Sequence, residues 1–235
     1  MKIPMIAVFV FFTSQTFLHA HREVGKLLHL LKYTKDSHAA YNADTYDIGY
    51  HTFVFNGIMY QGQRNPADRL QKIPKDLFDF THKTVLDIGC NQGGMLFALK
   101  NKIRWGVGVD YNPRLINAAN RIRRYYSAAK NLDFYMLDVE QEPLSLFKSF
   151  LPANAEKVDI CFLLSLCMWL KNWREVINAA RALSPRLLFE SNGSVEQQKE
   201  QVQYLKQKYS TVTLLADQST DDPGQKERKL YFCRS

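Results

Sequence analysis

Beyond Lys83 the chain alternates short β-branched or aromatic runs with longer segments whose apolar residues recur at helical spacing. Apolar runs of strand length bounded by glycine, asparagine and aspartate read as buried strands, and the segments between them read as helices packed on a sheet. "TVLDIG" from Thr84 is a first strand, and "GGMLFALK" opens a helix behind it. "WGVGVD", Trp105 to Asp110, is a second strand. In the "NPRLINAANRIRRYY" that follows, Asn112 stands as an N-cap and Pro113 at the first helical position. "LDFYMLD" ending at Asp138, "VDICFLL" ending at Leu164 and "RLLFES" after Pro185 supply three more strands. Helices are expected around Leu144 to Phe150, Trp169 to Leu183 and Val195 to Lys208. This rhythm predicts an α/β fold, a doubly wound and mostly parallel sheet with helices on both faces.

The tail breaks the rhythm. "STVTLLA", Ser210 to Ala216, and "RKLYFCR", Arg228 to Arg234, are separated only by "DQSTDDPGQKE", too short for a packed crossover helix, so they are expected to run antiparallel as a hairpin at the sheet edge. Before Lys83 the pattern is weaker. Val24 to Lys32 reads as helical, and "YDIGYHTFVFNGIMYQGQRNPADRL" is rich in aromatics, Gly and Asn. It suits either a lid over a site or a packing extension. Residues 1–20, "MKIPMIAVFVFFTSQTFLHA", have an apolar run from Ile3 to Phe12 and a small residue at Ala20, the outline of a secretory signal. That run is short for a membrane span. A loose membrane association remains open beside export, and a cytoplasmic location is the main expectation.

Composition then narrows the class. A chain of 235 residues, 46% hydrophobic, can bury one sizeable core. The formal charge of +8 favours an anionic partner without specifying a fold. Basic residues gather at Arg64 to Lys75 and at Arg104 to Arg124, where Arg121, Arg123 and Arg124 suit a solvated helix face better than a phosphate-binding strip. Cys90, Cys161, Cys167 and Cys233 show no metal-ligand spacing and read as buried thiols, so no metal is expected.

In an open parallel sheet the ligand sits beyond the carboxyl ends of the strands. The first strand ends in Asp87, Gly89 and a turn to Gly93, the second in Asp110 and the third in Asp138, which places three carboxylates at neighbouring strand ends. Asp110 follows Gly89 at about the 20-residue interval that suits an acid receiving ribose hydroxyls. A nicotinamide cofactor would use a similar loop, but here Asn91 stands where a dinucleotide loop carries its middle glycine, and Asp87 adds negative charge beside it. Such a loop suits the sulfonium and amino groups of S-adenosylmethionine better than a pyrophosphate.

"VLDIGCNQGG", "VGVDYNP", "FYMLDVE" and "VDICFLLSL" together resemble the successive motifs of the class I, Rossmann-like, seven-stranded S-adenosylmethionine-dependent methyltransferases, over roughly Lys83 to Arg234. The resemblance implies a methyltransferase domain over residues 83–235 preceded by a helical and aromatic extension over residues 21–82. It implies that Gly89, Cys90, Asn91 and Gly93 form the cofactor loop with Asp87 at its base. Asp110 and Tyr111 would hold the ribose side, Asp138 and Val139 would read the adenine edge, and Leu164 and Ser165 would border the methionine part and the acceptor.

Methyl transfer needs a general base only when the acceptor is a poor nucleophile in its protonated form. Glu190 and His51 are the candidates, and Arg64 and Arg69 could reach the site mouth to hold an anionic acceptor. The strand-four sequence "DICFLLSLCMWL" resembles neither the N/D-P-P-Y/F motif of base-amine methyltransferases nor the Pro-Cys motif of cytosine-carbon enzymes, so no DNA-specific motif is present and Cys167 is disfavoured as a nucleophile. The expected activity is transfer of a methyl group to an O or N acceptor on a small molecule or RNA. A non-catalytic methyltransferase-fold binding protein, and more remotely a nicotinamide-dependent oxidoreductase, are the alternatives.

Overall fold

A computed structural model describes residues 22–31, 48–219 and 227–235. The reading of residues 1–20 lies outside the described residues. Residues 22–31 form helix α1, and the hairpin β1 (Phe53–Phe55) and β2 (Ile58–Tyr60) and helix α2 (Pro66–Gln71) complete the N-terminal part. The alternating body follows as β3 (Thr84–Ile88), α3 (Gly94–Leu99), β4 (Trp105–Asp110), α4 (Pro113–Tyr125), β5 (Leu132–Met136), β6 (Ile160–Leu164), α5 (Trp173–Leu183), β7 (Arg186–Glu190), α6 (Val195–Lys208), β8 (Thr211–Ala216) and β9 (Leu230–Arg234).

Seven strands form one sheet in the order β5-β4-β3-β6-β7-β9-β8. Strands β3 to β7 are parallel, and β9 pairs antiparallel with both β7 and β8. The two tail strands run antiparallel as a hairpin at the sheet edge, as expected, with β9 lying between β7 and β8. The chain leaves β3 toward β4 on one side and returns to β6 on the other, so the direction reverses at β3 and β6. The crevice for a ligand opens there, at the carboxyl ends.

Side chains of alternate strand residues feed two cores. Val85, Ile160, Phe162 and Leu188 pack on one face against α1, the β1–β2 hairpin, α3 and α4. Leu86, Ile88, Cys161, Leu163 and Phe189 pack on the other against α5 and α6. The aromatic segment before Lys83 packs on the first core: Phe53 meets Phe97 edge to face, and Phe55 stacks on Tyr126. Asn112 does cap α4, its side chain accepting from the Arg114 N–H with Pro113 following.

Three elements depart from the sequence pattern. The third strand stops at Met136, not Asp138, because the Asp138 carboxylate accepts the Glu140 N–H at 2.9 Å and turns the chain. Leu144–Phe150 is a 3-10 helix. The segment read as helical from Trp169 starts at Trp173, after a short 3-10 turn at Cys167–Trp169. The four cysteines are buried and free, and burial raises each thiol's pKa, that of Cys233 to about 12.

Candidate active site

Strand β3 delivers the chain into a loop whose backbone needs left-handed angles at three positions: φ is 77° at Gly89, 52° at Asn91 and 77° at Gly93. Glycine takes such angles without steric cost, and asparagine is among the side-chain residues that tolerate them best. At Gly93 a Cβ would fall 2.5 Å from Phe134 Cε1, so that site also requires close approach. Cross-strand bonds hold the loop in place. Gly89 and Cys90 donate their N–H groups to the Val109 carbonyl at 2.8 and 2.9 Å. The Asn91 N–H donates to Asp110 Oδ2 at 2.9 Å, and Asp110 Oδ1 accepts the Asn112 N–H at 3.0 Å. Asp110 thus fixes the loop from the carboxyl end of β4, with its carboxylate beside the crevice.

Asp87 lies beneath this loop, 2% exposed. No hydrogen-bond donor among the described residues reaches its carboxylate. Burial, and then the neighbouring charge of Asp110, push its pKa up to about 8. A buried carboxylate without a donor is costly as an anion, and a cationic ligand group placed beside it removes that cost. The ammonium and sulfonium of S-adenosylmethionine fit this position, whereas a pyrophosphate would add a third negative charge. Cys90 stands 2% exposed with its thiol pKa raised, mainly by burial and then by Asp110, so it lines the loop as a small apolar group.

Around the crevice, Tyr111 is exposed beside Asp110, and Val139 is buried with its carbonyl accepting the Asn172 side chain at 2.6 Å. Leu164 closes β6, and Ser165 follows with φ at 56°, a conformation that a non-glycine residue holds only when its surroundings fix it. Here the Ser165 N–H donates to the Glu190 carbonyl at 3.0 Å, its carbonyl accepts Asn192 Nδ2 at 2.6 Å, and its hydroxyl donates to Glu190 Oε2.

Glu190, Arg64 and Arg69 come together, but not in the roles expected of them. Arg64 Nη2 bonds both Glu190 oxygens at 2.9 Å, and Arg69 Nη2 bonds Oε2 at 3.1 Å. All three side chains are buried. With two guanidinium groups and the Ser165 hydroxyl on its oxygens, Glu190 is placed as the anchor of an ionic cluster rather than as a base facing an acceptor. The two arginines do not stand at the site mouth, because the loop before α2 folds inward and ties the N-terminal extension to the end of β7. His51 is also buried: its ring lies on Gly94, where a Cβ would fall 2.4 Å from His51 Cγ, and its backbone N–H donates to Gln92 Oε1 at 3.4 Å. It packs the extension against the start of α3.

Several site residues escaped the sequence pattern. Gln92 is buried and joins the cofactor loop to His51. Asn192 joins Ser165 to the following turn by accepting the Met168 N–H at 3.0 Å, and Gln201 from α6 bonds both the N–H and the carbonyl of Asn192. Buried amides of this kind leave no periodic signal. Trp169, 56% exposed on the turn that Asn192 holds, is a large apolar group left in solvent at the carboxyl end of the sheet.

Comparison with known proteins agrees with this geometry. Residues 86–186 match a family model described as a methyltransferase domain. A stretch of 78 residues is 37% identical to the mouse 7SK snRNA methylphosphate capping enzyme, covering 30% of this chain and 11% of that protein. Among solved structures, the N-terminal domain of EvdMO1 in the presence of SAH and D-fucose superposes with a TM-score of 0.58 at 14% identity, covering 78% of this chain and 90% of that one. Magnesium protoporphyrin IX methyltransferase from Synechocystis PCC 6803 with bound SAM gives 0.54 at 16% identity, covering 72% and 78%. With the sheet order, the left-handed loop and the matched domain all in hand, residues 86–186 form a methyltransferase domain on the fold shared by class I S-adenosylmethionine-dependent methyltransferases.

Proposed function

We propose that this protein transfers the methyl group of S-adenosylmethionine to an oxygen or nitrogen of an RNA acceptor. The observation that carries the cofactor half is the buried Asp87 carboxylate, which no donor among the described residues reaches, under a loop with three left-handed residues. In support of the acceptor half stand the charge of +8 and the relative named as an RNA capping enzyme, which matches over a minor part of its length.

When bound, the cofactor supplies an activated methyl carbon, whose bond to sulfur breaks as the acceptor's lone pair forms the new bond. The protein's contribution is placement and exclusion of water. Asp87 would meet the cationic end, the Gly89 to Gly93 backbone would let that end approach closely, and Asp110 with Tyr111 would receive the ribose. Asp138 and Val139 border the base. Leu164 and Ser165 form the acceptor-side wall, held rigid by Glu190 and Asn192. With both of its oxygens held by arginine, Glu190 is not placed to take a proton, and an acceptor already nucleophilic at working pH needs no base. Trp169 offers an exposed ring on which an acceptor base can stack.

Incubation with methyl-tritiated cofactor and fractionated cellular extract tests the reading. Label in the RNA fraction is expected. Label confined to small molecules would overturn the RNA assignment, and tight cofactor binding with label in neither fraction would point to a non-catalytic binding protein.

A further inference from the structure

Helix α6 has a chemically divided surface that the methyl-transfer site does not use. Toward α5, Glu200 pairs with Arg174 at 3.5 Å, and Lys208 lies 5.1 Å above the Tyr204 ring. Toward β9, a stripe at i, i+4, i+7 and i+11 presents Val195, Lys199, Val202 and Lys206, and it forms one wall of a groove of about 370 Å³. Lys229 and Tyr231 of the β9 segment form the other wall. Among the described residues, three lysines line the groove against the single carboxylate of Glu227. Lys199 and Lys206 are two helical turns apart, about 10 Å along the axis.

The groove begins close in the chain to the acceptor side of the crevice. Val195 follows the Ser194 cap, three residues after Asn192, whose side chain holds the Ser165 carbonyl at 2.6 Å. At the other wall, the Ser191 N–H donates to the Lys229 carbonyl at 2.9 Å. A polymer emerging from Ser165 therefore meets a lane with cations on its walls and Val195, Val202 and Tyr231 as apolar surface. Spaced ammonium groups with apolar and aromatic surface between them suit a single-stranded nucleic acid, whose phosphates take the cations while sugars and bases rest on the apolar floor.

We propose that the groove between α6 and β9 is the track that binds the phosphate backbone of a single-stranded RNA acceptor beyond the methylated group. This rests on the RNA reading of the acceptor. Each phosphate contact to single-stranded nucleic acid contributes about 0.7 to the slope of log affinity against log salt, so three lysines contribute about 2.

The test uses the full chain saturated with S-adenosylhomocysteine and a fluorescent single-stranded 20-mer RNA followed by anisotropy between 50 and 300 mM KCl. Combined Lys199→Gln, Lys206→Gln and Lys229→Gln is expected to weaken binding at least tenfold at 100 mM and to flatten the salt slope by about 2. A matched control, Arg114→Gln, Arg121→Gln and Arg124→Gln on α4, is expected to stay within twofold. Unchanged RNA affinity in the lysine variant, or loss confined to the α4 variant, would overturn the proposal. So would preference of the wild type for a polyglutamate peptide over RNA. Calorimetry of S-adenosylhomocysteine on the same samples separates the two claims: retained cofactor binding with an indifferent groove sinks the track alone, whereas failure of the wild type to bind the cofactor sinks the methyltransferase reading.

Discussion

Asp87 sets stability against binding in opposite directions, and Asp87→Asn exposes both. Its folded pKa of about 8 lies above the ordinary carboxylate value of 3.8. A group raised in this way contributes stability that is fully present below pH 4 and is lost as pH rises through 8, at about 1.4 kcal/mol per unit. Over the whole interval that loss is on the order of 5 kcal/mol in the ligand-free protein. Asparagine carries no charge and removes the slope, while its own buried amide costs about 2 kcal/mol. The ligand-free variant should therefore melt several degrees above wild type at pH 8 and close to it at pH 5. Binding runs the other way. Removing one partner of a buried charge pair costs about 3 kcal/mol, so cofactor affinity should fall roughly 100-fold. With its carboxyl held well above the usual range, Asp87 should release a proton when a cation binds beside it near pH 7, measurable by calorimetry in buffers of different ionisation enthalpy. A variant that melts lower at pH 8, or that binds S-adenosylmethionine as wild type does with the same proton release, would refute the reasoning.

Further substitutions separate the parts of the site. Asn91→Gly should keep cofactor affinity within threefold by isothermal calorimetry, since glycine accepts the same φ; a loss above tenfold would show that the amide itself touches the ligand. Gly93→Ala combines a left-handed backbone with a 2.5 Å approach to Phe134, and it should lower stability by about 1–3 kcal/mol in urea denaturation. Glu190→Gln replaces the carboxylate that Arg64, Arg69 and the Ser165 hydroxyl share with a neutral amide, so it should destabilise the fold by about 3–5 kcal/mol. A general-base role would instead leave stability intact and remove the low-pH limb of the kcat/KM profile. Trp169→Ala should raise KM for RNA roughly tenfold while leaving cofactor affinity unchanged, and an unchanged KM would dismiss the stacking platform.

The frame of the fold was legible because strand-length apolar runs and caps are local signals. Asn112 and Pro113 mark the start of α4, and β4, β6 and β7 lie where their apolar runs do. The glycine loop was equally readable, including Asn91, because left-handed angles demand a short list of residue types. What failed to show was long-range polar pairing. Nothing in the local sequence tells that Arg64 and Arg69 turn inward to meet Glu190, more than a hundred residues away, rather than outward to solvent. The insertion of β9 between β7 and β8 is a similar case, since two adjacent antiparallel strands are compatible with either order until the register with β7 is known. Gln92, Asn192 and Gln201 carry structural bonds in the site without periodicity or charge to reveal them.

The most direct test of the central claim is isothermal calorimetry of the full chain with S-adenosylmethionine, in parallel with NAD, repeated for Asp87→Asn. Micromolar or tighter binding of S-adenosylmethionine to wild type, proton release near pH 7, no heat with NAD and roughly 100-fold weaker binding in the variant are the expected results. Binding of NAD in preference to S-adenosylmethionine, or an Asp87→Asn variant that binds S-adenosylmethionine undiminished, would contradict the assignment of this crevice to a sulfonium cofactor.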